Sequence, residues 1–228
     1  MTVTEVACVA IKPGLDAMNP TTPEGQVLLR AWNPVTAAPG GPNHLYYGVE
    51  IEDPSKLWAV CDWDSIEDHL NFAKSFGAEA VKELPTILSF REFSKHFAVK
   101  PFPALALQSP VTEVLLCYFP SDISLTGKAA ATALLQQFVE KGLGQCSDVK
   151  AVSYGWGVEN DFPVRGAEAR QQGSLLVAFI GWSSVDAITK FRETEAFKKN
   201  MELISSTEDL INLTRVHINC QYIGRELE

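Results

Sequence analysis

The chain has little of what marks a cofactor or a polyanionic partner. It contains no run of five or more basic residues, and 19 Lys+Arg face 28 Asp+Glu, for a formal net charge of −9. Phosphate backbones and anionic lipid surfaces both demand clustered cations, so nucleic acid and membrane are excluded as partners. No apolar run approaches the roughly 20 residues of a membrane span. The opening MTVTEVACVAIKPG lacks the charged start, apolar core and small-residue cleavage site of a leader. The five cysteines (Cys8, Cys61, Cys117, Cys146, Cys220) form no CxxC pair. That pattern suits reduced thiols and a cytoplasmic location. The four histidines (His44, His69, His96, His217) lie far apart, and HExxH, Walker, GxGxxG and GxSxG motifs are absent. No metal and no cofactor are therefore expected.

What the sequence does have is itself, written twice. VTEV occurs at 3–6 and at 111–114; YYGVE at 46–50 echoes SYGWGVE at 153–159. LWAVCDWDSIEDHLNFAKS at 57–75 matches LVAFIGWSSVDAITKFRET at 176–194, setting Trp63 on Trp182, Ser65 on Ser184 and Phe72 on Phe191. SKHFAV aligns with RVHINC, which sets His96 on His217. Four matches in one order point to a tandem duplication: an N-terminal repeat 1–100, a proline-bearing linker 101–110 and a C-terminal repeat 111–228.

Each half reads strand, helix, strand, strand, helix, strand. In the second half the spacing predicts strands near 111–119, 149–158, 174–182 and 213–222. It predicts a helix over 127–142, with Leu134, Leu135, Phe138 and Val139 recurring at helical spacing, and another capped by Ser183 or Ser184. Two βαββαβ units of this kind are ferredoxin-like, an α+β class in which helices cover one face of each antiparallel sheet. With a tryptophan ending the third strand and a serine-started helix behind it, the pattern resembles the dimeric α/β-barrel superfamily. That superfamily includes antibiotic-biosynthesis monooxygenases and polyketide cyclases. The resemblance implies two fused protomers closing an intramolecular barrel, active as a monomer or a homodimer.

Duplication makes divergence informative. Six prolines fall in 13–42 and none in 121–150, so the first helix is predicted short, EGQVLLRAWN, ahead of an irregular PVTAAPGGPN that opens a pocket mouth at Arg30 and Trp32. The second helix of the first half has an inward stripe of Ile66, His69 or Leu70, Ala73 and Phe76, and His69 stands where the second half has Ile188. The offset between repeats grows from 107 at Tyr47/Tyr154 to 119 at Trp63/Trp182. That places an insertion near NDFPVRGAEARQQG, a charged loop with Arg165 and Arg170. Along NHLYYGVEI, Leu45, Tyr47 and Val49 face one way; His44, Tyr46 and Glu50 face the other, where the second half has Ala151, Ser153 and Gly157. In the superfamily the second strand of one unit lies beside the last strand of the other, and this resemblance places His44 near the His217 strand.

The expected chemistry is proton transfer. Imidazole moves protons near neutral pH, and a phenol beside it donates to a developing oxyanion. His44, Tyr46, His69 and His96 are the candidate catalytic residues; Arg30, Trp32, Trp58, Phe72 and Phe76 are candidates for binding a small aromatic or polyketide-like ligand. The expected activity is a cofactor-independent cyclisation or isomerisation in secondary metabolism. The resemblance also admits a cofactor-free monooxygenase, and a ligand-binding protein without turnover stands as a third reading.

Overall fold

Strand register carries the duplication into three dimensions. In a computed structural model of the chain, residues 1–167 and 171–224 are described. The chain divides into two units: unit 1 is Met1–Phe97 with Ile218–Glu228, and unit 2 is Ala98–His217.

Unit 1 contains β1 (Val3–Ile11), α1 (Pro23–Ala37), β2 (His44–Glu50), β3 (Lys56–Trp63), α2 (Ile66–Phe72) and most of β4 (Leu88–Lys100). β1 pairs antiparallel with β3 on one side and β4 on the other, and β2 pairs with β3. Residues 218–224 add a further strand against β2. Side chains alternate across this sheet. Val3, Leu45, Tyr47, Leu57, Ala59, Cys61 and Trp63 pack under the helices with Leu28, Ala31, Trp32 and Phe72.

Unit 2 contains β5 (Val111–Phe119), α3 (Leu125–Gln137), β6 (Val149–Gly157), β7 (Phe162–Pro163), β8 (Gln172–Trp182), α4 (Val185–Arg192), α5 (Glu195–Ser205) and the first half of β9 (Asn212–Gly224). Val111 pairs with Trp182 as Val3 pairs with Trp63, and Glu113 pairs with Ile180 as Glu5 pairs with Cys61. Its helix-side core is Leu115, Phe119, Leu135, Phe138, Ile180, Trp182, Ile188 and Phe191. The glycines of the repeated motif have one job in both copies. A Cβ at Gly48 would lie 2.1 Å from the Asn219 carbonyl, and one at Gly155 would lie 2.0 Å from that of Ala98. Only hydrogen fits where the neighbouring backbone passes so close.

The helices obey capping chemistry at their starts and depart from the sequence reading further along. Thr22, Ser65, Ser124, Ser184 and Thr194 each accept a bond from the backbone N–H three residues on. α1 is not the short helix expected. It runs through Pro34 to Ala37, because the buried stripe of Leu28, Ala31, Trp32 and Val35 continues across the proline and outweighs one lost backbone bond. After α2 a π-helical turn, Ala73–Gly77, shifts the phase of the stripe. Phe72 is buried, whereas Leu70 and Phe76 are exposed, so the inner face is Ile66, His69 and Phe72. The charged insertion in unit 2 is anchored. Phe162 is fully buried, and Phe162–Pro163 pairs with Gln172–Gly173. Arg170 lies outside the described residues. Among the described residues no helix is long and apolar enough to cross a membrane.

Candidate active site

Glu5 sits on β1 with the parity of Val3 and Ala7, so a carboxylate points at the helix-side core of unit 1. Glu5 is the register partner of His96 on β4. The serine cap at Ser65 starts α2 so that His69, four residues on, reaches the same place. His69 Nε2 lies 3.3 Å from Glu5 Oε2, and His69 Nδ1 is 2.8 Å from His96 Nε2. Trp63 Nε1 donates to Glu5 Oε2 (3.2 Å) and Ser94 Oγ to Glu5 Oε1 (2.8 Å).

This order fixes the proton positions. A carboxylate only accepts, so the neutral His69 ring carries its hydrogen on Nε2 and presents a lone pair at Nδ1 to the N–H of His96. Two imidazoles then share one proton beside an anion. Any further proton taken up by the pair makes a cation beside the Glu5 carboxylate. His96 is 7% exposed, and the side chains of His69 and Glu5 are 17% and 15% exposed. The site is thus sheltered but not sealed. An aromatic wall adjoins it: Trp63 lies 4.9 Å from the His69 ring and 5.5 Å from Phe72, which lies 5.6 Å from Phe76.

Of the residues singled out in the sequence, His69, His96, Phe72 and Phe76 come together here. His44 and Tyr46 do not. They pair with Asp62 and Val60 across β3, on the sheet face opposite Glu5. β2 does lie beside the strand that carries His217, as the resemblance implied: residues 218–224 of β9 pair with it, with Gly224 opposite His44 and the His44 ring 6.0 Å from that of Tyr222. His44 Nδ1 is 3.5 Å from Asp62 Oδ2, and Thr4 donates to Asp62 Oδ1 at 2.7 Å. Burial raises Asp62 to about 6 against the opposing Thr4 bond, and burial lowers His44. Trp58 is fully buried on that same face and donates to Glu50 (2.8 Å). Trp32 is a core side chain, its ring 6.3 Å from that of Tyr47. Arg30 is held at the surface by Glu83 (2.7 Å). Near Tyr47 and Gln221 there is only a void of about 10 Å³, at the lower limit for one water.

The residue missed by the sequence reading is Glu5. Its signal was present: a charged residue on the apolar parity of a buried strand, and again at Glu113. Unit 2 keeps the frame and changes the chemistry. Ile188 replaces His69 and is buried. Arg192 stands at the position of Ala73 and donates from Nη2 to Glu113 Oε1 (2.8 Å) and to His217 Nε2 (3.0 Å).

No protein-family model and no curated protein matches the sequence. Solved structures do match over nearly the full length. A provisionally named monooxygenase from Fusobacterium nucleatum aligns with 98% of this chain and 94% of its own, at 11% identity and a TM-score of 0.64. One from Lactobacillus acidophilus covers 98% and 96%, at 10% identity and a TM-score of 0.61. An anthrone oxidase-like protein covers 99% and 94%, at 15% identity and a TM-score of 0.64. At these identities the likeness shows the fold: the chain has the α+β fold of two ferredoxin-like repeats and resembles the dimeric α/β-barrel superfamily.

Proposed function

We propose that the chain is an enzyme whose unit 1 removes a proton from an electron-rich aromatic substrate, a phenol or an aryl ketone with an acidic methylene, and that the resulting carbanion reacts with dioxygen. The observation that carries this reading is His69 bridging Glu5 and His96. The imidazole pair accepts the proton and the carboxylate stabilises the cation so formed, which is general-base catalysis worth about 10²–10⁴-fold. Trp63, Phe72 and Phe76 offer flat apolar surface to the ring. Addition of O₂ to the carbanion gives a peroxide anion. Return of the proton from the imidazolium gives a hydroperoxide, and loss of water leaves a carbonyl. The methylene is oxidised and O₂ is reduced, with water as the second product. The monooxygenase and anthrone oxidase-like names of the full-length structural matches support oxygenation as the fate of the carbanion.

The second reading uses the same base without oxygen, for ring closure or isomerisation of a polyketide-like ligand. Turnover of a panel of phenols and aryl ketones in air and under nitrogen separates the two. Oxygenation requires uptake of one O₂ per product and no product under nitrogen; equal rates in both atmospheres leave the proton-only reaction. A panel bound but never turned over supports the ligand-binding alternative and removes both.

A further inference from the structure

The second copy of the site carries more positive charge than its own residues neutralise. Arg215 lies on β9 two residues before His217, at the place where unit 1 has Ser94. Its guanidinium sits 5.3 Å from the Phe197 ring on α5. Arg215 shares the strand face of His217, whose Nε2 lies 3.0 Å from Arg192 Nη2, and Arg192 in turn lies 2.8 Å from Glu113. Burial lowers the Arg215 pKa, with Glu113 acting to raise it and Arg192 to lower it further. Cys117 also faces it, but burial holds that thiol at about 12, so it brings no negative charge at neutral pH. His217 accepts from Arg192 through Nε2. Among the described residues Glu113 is the anion that faces the two arginines, and it is paired with Arg192. The Nε atoms of Arg192 and Arg215 are both buried without a hydrogen-bond partner. Among the described residues Arg215 makes no ion pair. A half-buried guanidinium left in this state costs stability unless something completes it.

We propose that unit 2 binds the anionic group of a small molecule, a carboxylate or a phosphate, at the guanidinium pair Arg192 and Arg215. The planar forks of arginine suit both oxyanions, through parallel N–H donors. The side chain of Arg192 is 33% exposed, which leaves the pair open to ligand. The contrast with unit 1 is chemical. There the positions of Arg192 and Arg215 hold Ala73 and Ser94, and the same glutamate faces imidazoles instead.

The test uses the full chain at constant ionic strength, with sodium chloride replaced stepwise by sodium phosphate or sodium benzoate. A saturable rise in melting temperature with either anion, matched by calorimetric binding, is expected; binding of one anion alone names the preferred oxyanion. Arg215→Met is expected to weaken that binding by about tenfold or more. It is also expected to melt no lower than the parent protein without anion, since it replaces an uncompensated charge beside Phe197. Arg215→Lys, which retains the charge but not the fork, provides a second variant and is expected to weaken binding less than Arg215→Met. Absence of saturable binding by both anions up to about 20 mM overturns the proposal, as does equal binding by the parent and Arg215→Met.

Discussion

His69 and Ile188 occupy the same step of the same helix in two copies of one module, each four residues beyond a capping serine. One meets a glutamate and a histidine; the other fills an apolar core. Exchange at this position is thus a change the frame tolerates. His69→Ile is expected to fold, at a cost of about 1–3 kcal/mol because Ala73 cannot stand in as Arg192 does for the glutamate and histidine of unit 2. Turnover of any substrate found is expected to drop by about 10²–10⁴-fold. Parallel melting and rate measurements check this, and an unchanged rate removes His69 from the chemistry.

Glu5 is the opposite case. Glu5→Ala removes the acceptor of both Trp63 Nε1 and Ser94 Oγ, and an unsatisfied buried polar group costs about 1–3 kcal/mol. A loss of about 2–4 kcal/mol in urea unfolding is expected, with Glu5→Gln recovering part of it by accepting from Trp63 and Ser94.

Asp62 makes stability depend on pH. Its folded pKa is about 6, above the ordinary 3.8, because burial penalises the carboxylate. Its contribution is fully present below pH 4 and is lost as pH rises through 6, amounting to about 3 kcal/mol. His44, lowered by burial, acts in the reverse sense, losing stability on acidification. Asp62→Asn isolates the first term: its stability relative to the parent should rise between pH 4 and 7 and level off above. A flat difference would mean that Asp62 is ionised throughout, paired with a charged His44.

The paired glycines make a backbone prediction. Gly48→Ala and Gly155→Ala each drive a Cβ into a carbonyl of the adjacent strand. Both should lose more than about 2 kcal/mol, well beyond the 0.5–1 kcal/mol typical of glycine exchange in regular structure. Alanine at Gly14, where nothing lies within 4 Å but φ is +82°, tests strain without collision and should cost less.

Much of this fold was legible because a duplicated sequence reports its own register: the matches at VTEV, YGVE and the tryptophan-ended strand fall on equivalent ladder positions. What stayed hidden depends on contacts distant in sequence. The stripe through Pro34 prevails over the proline only because a sheet lies beneath it. The π-helical turn that turns Phe76 outward has no periodic signature. α5 was not anticipated at all; its place in the first half holds only the short helical turns Ala78–Ala80 and Leu84–Thr86. Half of the site was visible in His69 and His96, through their mismatch or match with the other copy. Glu5 went unread because it is identical in both copies, and the comparison looked for difference. His44 and Tyr46 were drawn in by the same alternation that sends them to the wrong face of the sheet for a meeting with His69.

The twin placement of Glu5 and Glu113 has a genetic consequence. In an assembly of identical subunits every substitution is made in all copies together, so a residue that improves one site burdens its twin. Here both modules are spelled out separately in one open reading frame, and codon 69 drifts without codon 188. An imidazole at one, a hydrocarbon at the other and an arginine four residues further on record such separate histories, which a homomeric ancestor had no means to write.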